Sequence, residues 1–111
     1  MIKFSFLITR LPGMSLDAFV DHHKNKHAPL FSSIPETQQY VLRYVVSHPI
    51  IEPGFPEPSY DAMTDIYFDS FKDYHQFFSS ENFLKTVQPD HANFFDESKV
   101  VMLVTKETTV I

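Results

Sequence analysis

Three of the six histidines stand within six positions, His22, His23 and His27 in VDHHKNKHAPLF (residues 20–31). Imidazole changes charge near neutral pH, so such a cluster can ligate a metal, move protons or cover a helix face. Helical spacing separates the three. Leu16, Phe19, Val20, His23, His27, Leu30 and Phe31 recur on one apolar face, while His22 points about a quarter turn away, towards solvent. His23 and His27 share the i, i+4 spacing of the zinc-protease helix motif, but the intervening KNK supplies two cations and no glutamate base. Two imidazoles leave a metal short of ligands, and His91 or Asp90 completes the set only if the fold brings it close. The expectation is no metal, with His23 as a polar wall of a pocket.

His27 lies where Pro29 lacks an amide hydrogen and crowds the carbonyl one turn earlier. Two readings are open on residues alone: a core histidine bonded to a freed helix carbonyl such as that of Asn25, or an acid–base group. Tyr40 opens a run in which Leu42, Tyr44 and Val46 share its face. If helices cover that face, the Tyr40 hydroxyl pairs with His27 for proton abstraction beside a carbonyl or for oxyanion stabilisation. Tyr44 is a weaker case of the same kind, and a packing tyrosine is the alternative for both. His91, in PDHANFF, is a second acid–base candidate, an axial ligand if haem is bound, or a surface histidine. Phe6, Ile8, Phe19 and Phe78 are expected as apolar wall, although aromatic stripes more often form core. Asp61 and Asp65 share a strand face with the parity of Arg43. A hairpin centred near Gly54 makes Arg43 and Asp65 cross-strand neighbours, which favours an ion pair over a catalytic carboxylate pair.

The elements that must position these groups are legible. Ile2 to Arg10 alternates with period two and reads as a strand, closed by the turn formers Pro12 and Gly13. Ser15 caps a helix that kinks or ends near His27. Gln39 to Ser47 is a second strand, and HPIIEPGFPEPS is a long proline-rich loop of the kind that forms lids. Tyr60 to Asp69 is a third strand. Ser70 caps a helix to about Phe78, and Ser79 or Ser80 opens another that Pro89 interrupts. Lys99 to Ile111 is the last strand. One α+β domain over residues 1–111 follows, with a ferredoxin-like βαββαβ order and a four-stranded antiparallel sheet. Both helices cover one face. Leu7, Val41, Val45, Met63 and Tyr67 on the other leave it apolar, which calls for a homodimer through the sheets.

Composition narrows the partners. Twelve Phe and five Tyr suit a small apolar or aromatic ligand, and a formal charge of −5 disfavours nucleic acid and anionic membranes. Without cysteine there is no thiolate nucleophile or disulfide. The opening MIKFSFLITR is too short for a signal-peptide core, and no segment reaches the apolar length of a membrane span, so a cytoplasmic protein is expected.

TRLPGMSLDAF followed by HAPL, then YDAMTDIYFDS, then PDHANFFDE, resembles the EthD family of the dimeric α+β barrel superfamily, in order and over almost the whole chain. The resemblance implies a ferredoxin-like protomer whose sheet pairs with a second copy to make a barrel, with a cleft between helices and sheet. It implies activity on polyketide-like, aromatic or lactone compounds, often without a cofactor, while other relatives bind haem. Its motif histidine faces the cleft, which makes His27 the expected acid–base group of an isomerase, lyase or decarboxylase, or a cofactor-independent oxygenase (an oxidoreductase). A non-catalytic ligand-binding dimer and a haem protein are the alternatives. His23 departs from the family, which often carries a large aromatic four residues before the HAPL histidine.

Overall fold

A computed structural model describes residues 1–111. Four strands, β1 (Ile2–Ile8), β2 (Val41–Ser47), β3 (Ala62–Phe68) and β4 (Val101–Thr105), form one antiparallel sheet in the order β2-β3-β1-β4. Helices α1 (Leu16–His22), α2 (Ala28–Ser33), α3 (Pro35–Tyr40) and α4 (Phe71–Phe78) pack on one side. The ferredoxin-like architecture expected from the sequence is therefore present. Capping follows the residues that invite it: Ser15 Oγ accepts the Ala18 amide and Ser70 Oγ the Asp73 amide, both at 3.1 Å.

The alternation of β1 sends Phe4 and Ile8 into the interior, at 1% and 4% exposure. Two apolar clusters lie under the helices. One gathers Phe4, Phe31, Ile66, Phe68, Phe77 and Phe83, with Ile34 and Val87; the other gathers Ile8, Phe19, Ala62, Phe94 and Phe95. Each fully buried Phe contributes roughly 1.5–3 kcal/mol.

Four expectations need correction. Gln39 and Tyr40 belong to the short helix α3, not to β2, because Pro35 starts a further turn. A bulge at Leu42 shifts the β2–β3 register between Val41 and Arg43, so Val41 packs on the core and Leu42 is exposed. Arg43 accordingly faces Tyr67, its guanidinium 5.6 Å from the ring centroid, and Asp65 faces Val45. Asp65 accepts instead from Ser5 Oγ at 2.5 Å, and Asp61 receives the Arg10 guanidinium at 2.9 Å and the Arg10 amide at 2.8 Å. Neither carboxylate pairs with Arg43. Finally, β4 stops at Thr105, opposite Lys3 and one residue short of the start of β1, so the strand does not run on to Ile111.

The face away from the helices presents Leu7, Val45, Met63, Val101 and Leu103 beside the buried Ser5 and Asp65. No helix is long and apolar enough to cross a membrane.

Candidate active site

A cavity of about 80 Å³ lies at the seam between the two apolar clusters. Its wall is mostly Phe6, Ile8, Phe31, Phe78, Phe83 and Phe94, with Tyr44, Ile66, Phe95 and Val100 completing it. Four polar side chains interrupt this wall: His23, His27, His91 and Thr64. A larger ligand, of the size that fills ordinary drug-sized pockets of about 300–1,000 Å³, must extend out through the mouth.

Two wide turns present the imidazoles. The expected kink near His27 takes the form of a π turn, His23–His27, after which the helix resumes as α2. A second π turn, Phe83–Val87, has the same sequence logic, since each ends two residues before a proline. Proline at i crowds the carbonyl at i−4, and widening the preceding turn relieves it. The Ala28 amide therefore bonds back to His23 and the Gln88 amide to Phe83, five residues rather than four. Ser80 Oγ accepts the Phe83 amide at the start of the second segment. Beyond it, Gln88–Asn93 is a 3₁₀ turn, tied to the end of β1 by Leu11 N–H to Phe94 O at 3.2 Å and Asp96 N–H to Thr9 O at 2.9 Å. Those bonds hold Asp90 and His91 against the histidine helix.

Asp90 is the hub. His27 Nδ1–H donates to its Oδ2 at 2.8 Å, His22 Nε2–H is 3.0 Å from both oxygens, and Asn93 Nδ2 donates to Oδ1 at 2.9 Å. Burial works to raise the Asp90 carboxyl, but hydrogen bonds from Asn93, His22 and His27 outweigh it and hold the pKa down to about 2. His27 is pulled below 6.5 by burial, opposed by the bond and charge of Asp90. Near neutral pH it is thus a neutral imidazole with its proton fixed on Nδ1. No buried side-chain nitrogen lacks a partner, so the unbonded Nε2 of His27 reaches open space, which here is the cavity.

His23 makes a separate contact: its Nδ1 is 2.9 Å from His48 Nε2, and its Nε2 is 3.4 Å from Thr64 Oγ1. Burial, then the neighbouring His48, His27 and His22, bring the His23 pKa to about 3. His91 falls to about 4, through burial and then His27, against the pull of Asp90. Its ring stands 5.1 Å from that of His27 and 4.8 Å from that of Phe95. The Tyr44 hydroxyl is pushed up by burial and stays protonated.

Of the residues singled out from the sequence, Phe6, Ile8, His23, His27, Tyr44, Phe78 and His91 line the cavity. Two do not. Tyr40 packs against the Phe4 cluster, because α3 and the bulge change its parity, and Phe19 is wholly buried behind His23 and Phe94. His22 is not a solvated side chain, since it bonds Asp90 and stacks 4.9 Å from Phe94. His27 bonds Asp90 rather than a helix carbonyl. Sequence reasoning missed Asp90 as the orienting carboxylate, Thr64 as a wall residue, and His48 altogether. At about 80 Å³ the cavity is too small for a haem.

Against known proteins, residues 11–98 match the EthD domain, and the chain belongs to that family. The dehydratase UstZ of Ustilaginoidea virens is 27% identical over 115 residues, covering 94% of this chain and 81% of that protein. An EthD family protein of Bacillus halodurans superposes with a TM-score of 0.71 at 21% identity, covering 97% of this chain and 99% of its own. A dimeric ferredoxin-like protein of unknown function from Bacteroides fragilis gives 0.69 at 9% identity, covering 96% and 95%. These two structures speak for the fold alone.

Proposed function

We propose that this EthD-family protein is an acid–base enzyme that eliminates water from a compact aromatic or polyketide-like β-hydroxy carbonyl compound. The observation that carries the reading is His27: a neutral imidazole, its Nδ1–H fixed on Asp90 at 2.8 Å, with Nε2 free at an apolar cavity. A partly buried carboxylate that orients the ring and stabilises the imidazolium makes Nε2 a base for a proton next to a carbonyl. The substrate carbon gives its proton to Nε2, the new double bond forms, and the β-hydroxyl leaves as a protonated oxygen. Two other rings of the same wall, His23 and His91, are the donors available to such a leaving group. Elimination is favoured over isomerisation or decarboxylation by the likeness to a dehydratase over nearly the whole chain.

The same reading includes a homodimer. The bare sheet face carries Leu103 at 60% and Val101 at 44% exposure, and covering it with a second copy removes that surface from water.

The test uses the aldol of benzaldehyde and acetone, whose dehydration yields a conjugated enone visible by its absorbance. Wild type forms the enone and His27→Ala does not, while the aldol still binds the variant. Binding without turnover by wild type, on this aldol and on larger polyketide-like β-hydroxy ketones, sinks the enzyme reading and leaves a ligand-carrying pocket.

A further inference from the structure

The bond between His23 and His48 joins two cavities. His23 lines the candidate active site, whereas His48 lines a second, more open pocket of about 220 Å³ with Ser47, Pro49 and Tyr60, bordered by Leu7 and Met63 of the bare sheet face. His23 is 1% exposed, and half-buried His48 stands on its solvent side at 2.9 Å. Around the pair are His22 and His27 from the histidine helix, Thr64 from β3, the rings of Phe19 and Phe94, and Lys24 beside His48. These surroundings, dry on one side and cationic on the other, disfavour a charged ring at either position. A neutral imidazole, however, donates from one nitrogen while it accepts at the other.

We propose that His48 and His23 form a proton passage, in which His48 collects a proton from the second pocket and His23 delivers one into the active-site cavity without either ring becoming charged. At the start, His48 Nε2–H donates to His23 Nδ1, and His23 carries its own proton on Nε2. As the carbon–oxygen bond breaks, its electron pair stays on oxygen, and His23 Nε2–H protonates that oxygen to give water. His23 Nδ1 takes the His48 Nε2 proton, and His48 Nδ1 takes one from a hydronium ion or buffer acid in the second pocket. Both rings end neutral in the opposite tautomer. After product leaves, the substrate proton held on His27 reloads His23 Nε2 through cavity water, the rings being 6.3 Å apart. The reverse hops return one proton to solvent, so the cycle closes with no net proton taken up.

The use of the passage in turnover rests on the elimination reading, but its existence does not. Histidine labelled with nitrogen-15 reports exchange of the His23 ring proton with water in the free protein. His48→Gln keeps a donor to His23 Nδ1 but cannot hand a proton on, so exchange slows about tenfold or more. In His48→Ala, added imidazole enters through the second pocket and restores it. Equal exchange in wild type and His48→Gln, with both folded by circular dichroism, overturns the passage. Turnover of the benzaldehyde–acetone aldol is read separately: kcat falls about tenfold or more in His48→Gln with KM held, and imidazole rescues His48→Ala. Slowed exchange with no turnover by wild type upholds the passage and removes the elimination reading. Unchanged exchange with His27-dependent turnover does the reverse.

Discussion

Asp90 holds His27 Nδ1 at 2.8 Å across 63 residues of sequence, and the same carboxylate binds His22 at 3.0 Å. One anion therefore orients two rings of the histidine cluster and decides which nitrogen of His27 is free. Asp90→Asn keeps the shape but removes the charge that opposes desolvation of His27, so the imidazolium becomes harder to form. Turnover of a β-hydroxy ketone should fall by about 10²–10⁴, with KM nearly unchanged. Base catalysis needs neutral His27, so wild-type activity should rise with pH through a value below 6.5, and the Asp90→Asn substitution should move that limb lower still. A pH profile of kcat/KM for both proteins checks the direction. An unmoved limb removes Asp90 from the mechanism.

Stability should fall steeply in mild acid. His23 and His91 have folded pKa values near 3 and 4, below the 6.5 of an unfolded imidazole. Between those limits the unfolded chain binds protons that the folded one refuses, so stability present above pH 6.5 is lost as pH falls towards 4. Asp90, held to about 2 against 3.8, acts in the same sense at lower pH, its contribution being present above 3.8 and lost as pH falls through 2. Urea midpoints measured from pH 7 to about pH 4 should drop throughout. His91→Phe, set among Phe83, Phe95 and His27, should fold and show a shallower slope. An equal slope in that variant would mean that His91 is not a source of the loss.

The periodicities carried the strands and the wall of the cavity, since Phe6, Ile8, His23 and His27 follow directly from a two-residue and a helical repeat. What local pattern could not carry was anything decided between distant segments. Asp90 lies next to His91 in the sequence and reads there only as a possible metal ligand, because nothing near it announces His22 and His27 as its partners. A single extra residue at Leu42 reversed the parity of the start of β2 and took Tyr40 out of the cavity. The register of β2 on β3 differs by two residues from a loop centred at Gly54, which is enough to exchange Asp65 for Tyr67 opposite Arg43. A proline-rich loop has no period from which to read such a slip. Pro29 foretold disturbance but not its form, a widened turn that continues into α2 rather than an end.

That widened turn is itself testable. Pro29 is exposed, so Pro29→Ala removes no packing and restores an amide that can bond the Asn25 carbonyl four residues back. The π turn then loses its cause, and a relaxed α-helix rotates His27 relative to Asp90 and the cavity. Melting temperature should change by less than about 4 °C, whereas kcat should fall about tenfold or more through misplacement of the base. Equal activity in the variant would show that the His27–Asp90 bond holds the geometry without help from the proline.

The bare sheet face offers the last test, because its residues lie away from the active-site cavity, and Leu103 lies away from the second pocket as well. Leu103 sits on the edge strand β4, opposite Ser5, on the side that carries Leu7, Val45 and Met63. A charge placed there costs little in a single copy, where the side chain is 60% exposed, and a great deal if a second sheet covers it. Leu103→Glu should therefore give a folded monomer in sedimentation experiments under conditions where wild type sediments as a dimer. Ile50→Glu, 88% exposed in the proline-rich loop, serves as the control and should leave the dimer unchanged. Dissociation by both variants would point to general charge repulsion in a chain already at −5, and dissociation by neither would place the dimer contact elsewhere than this face.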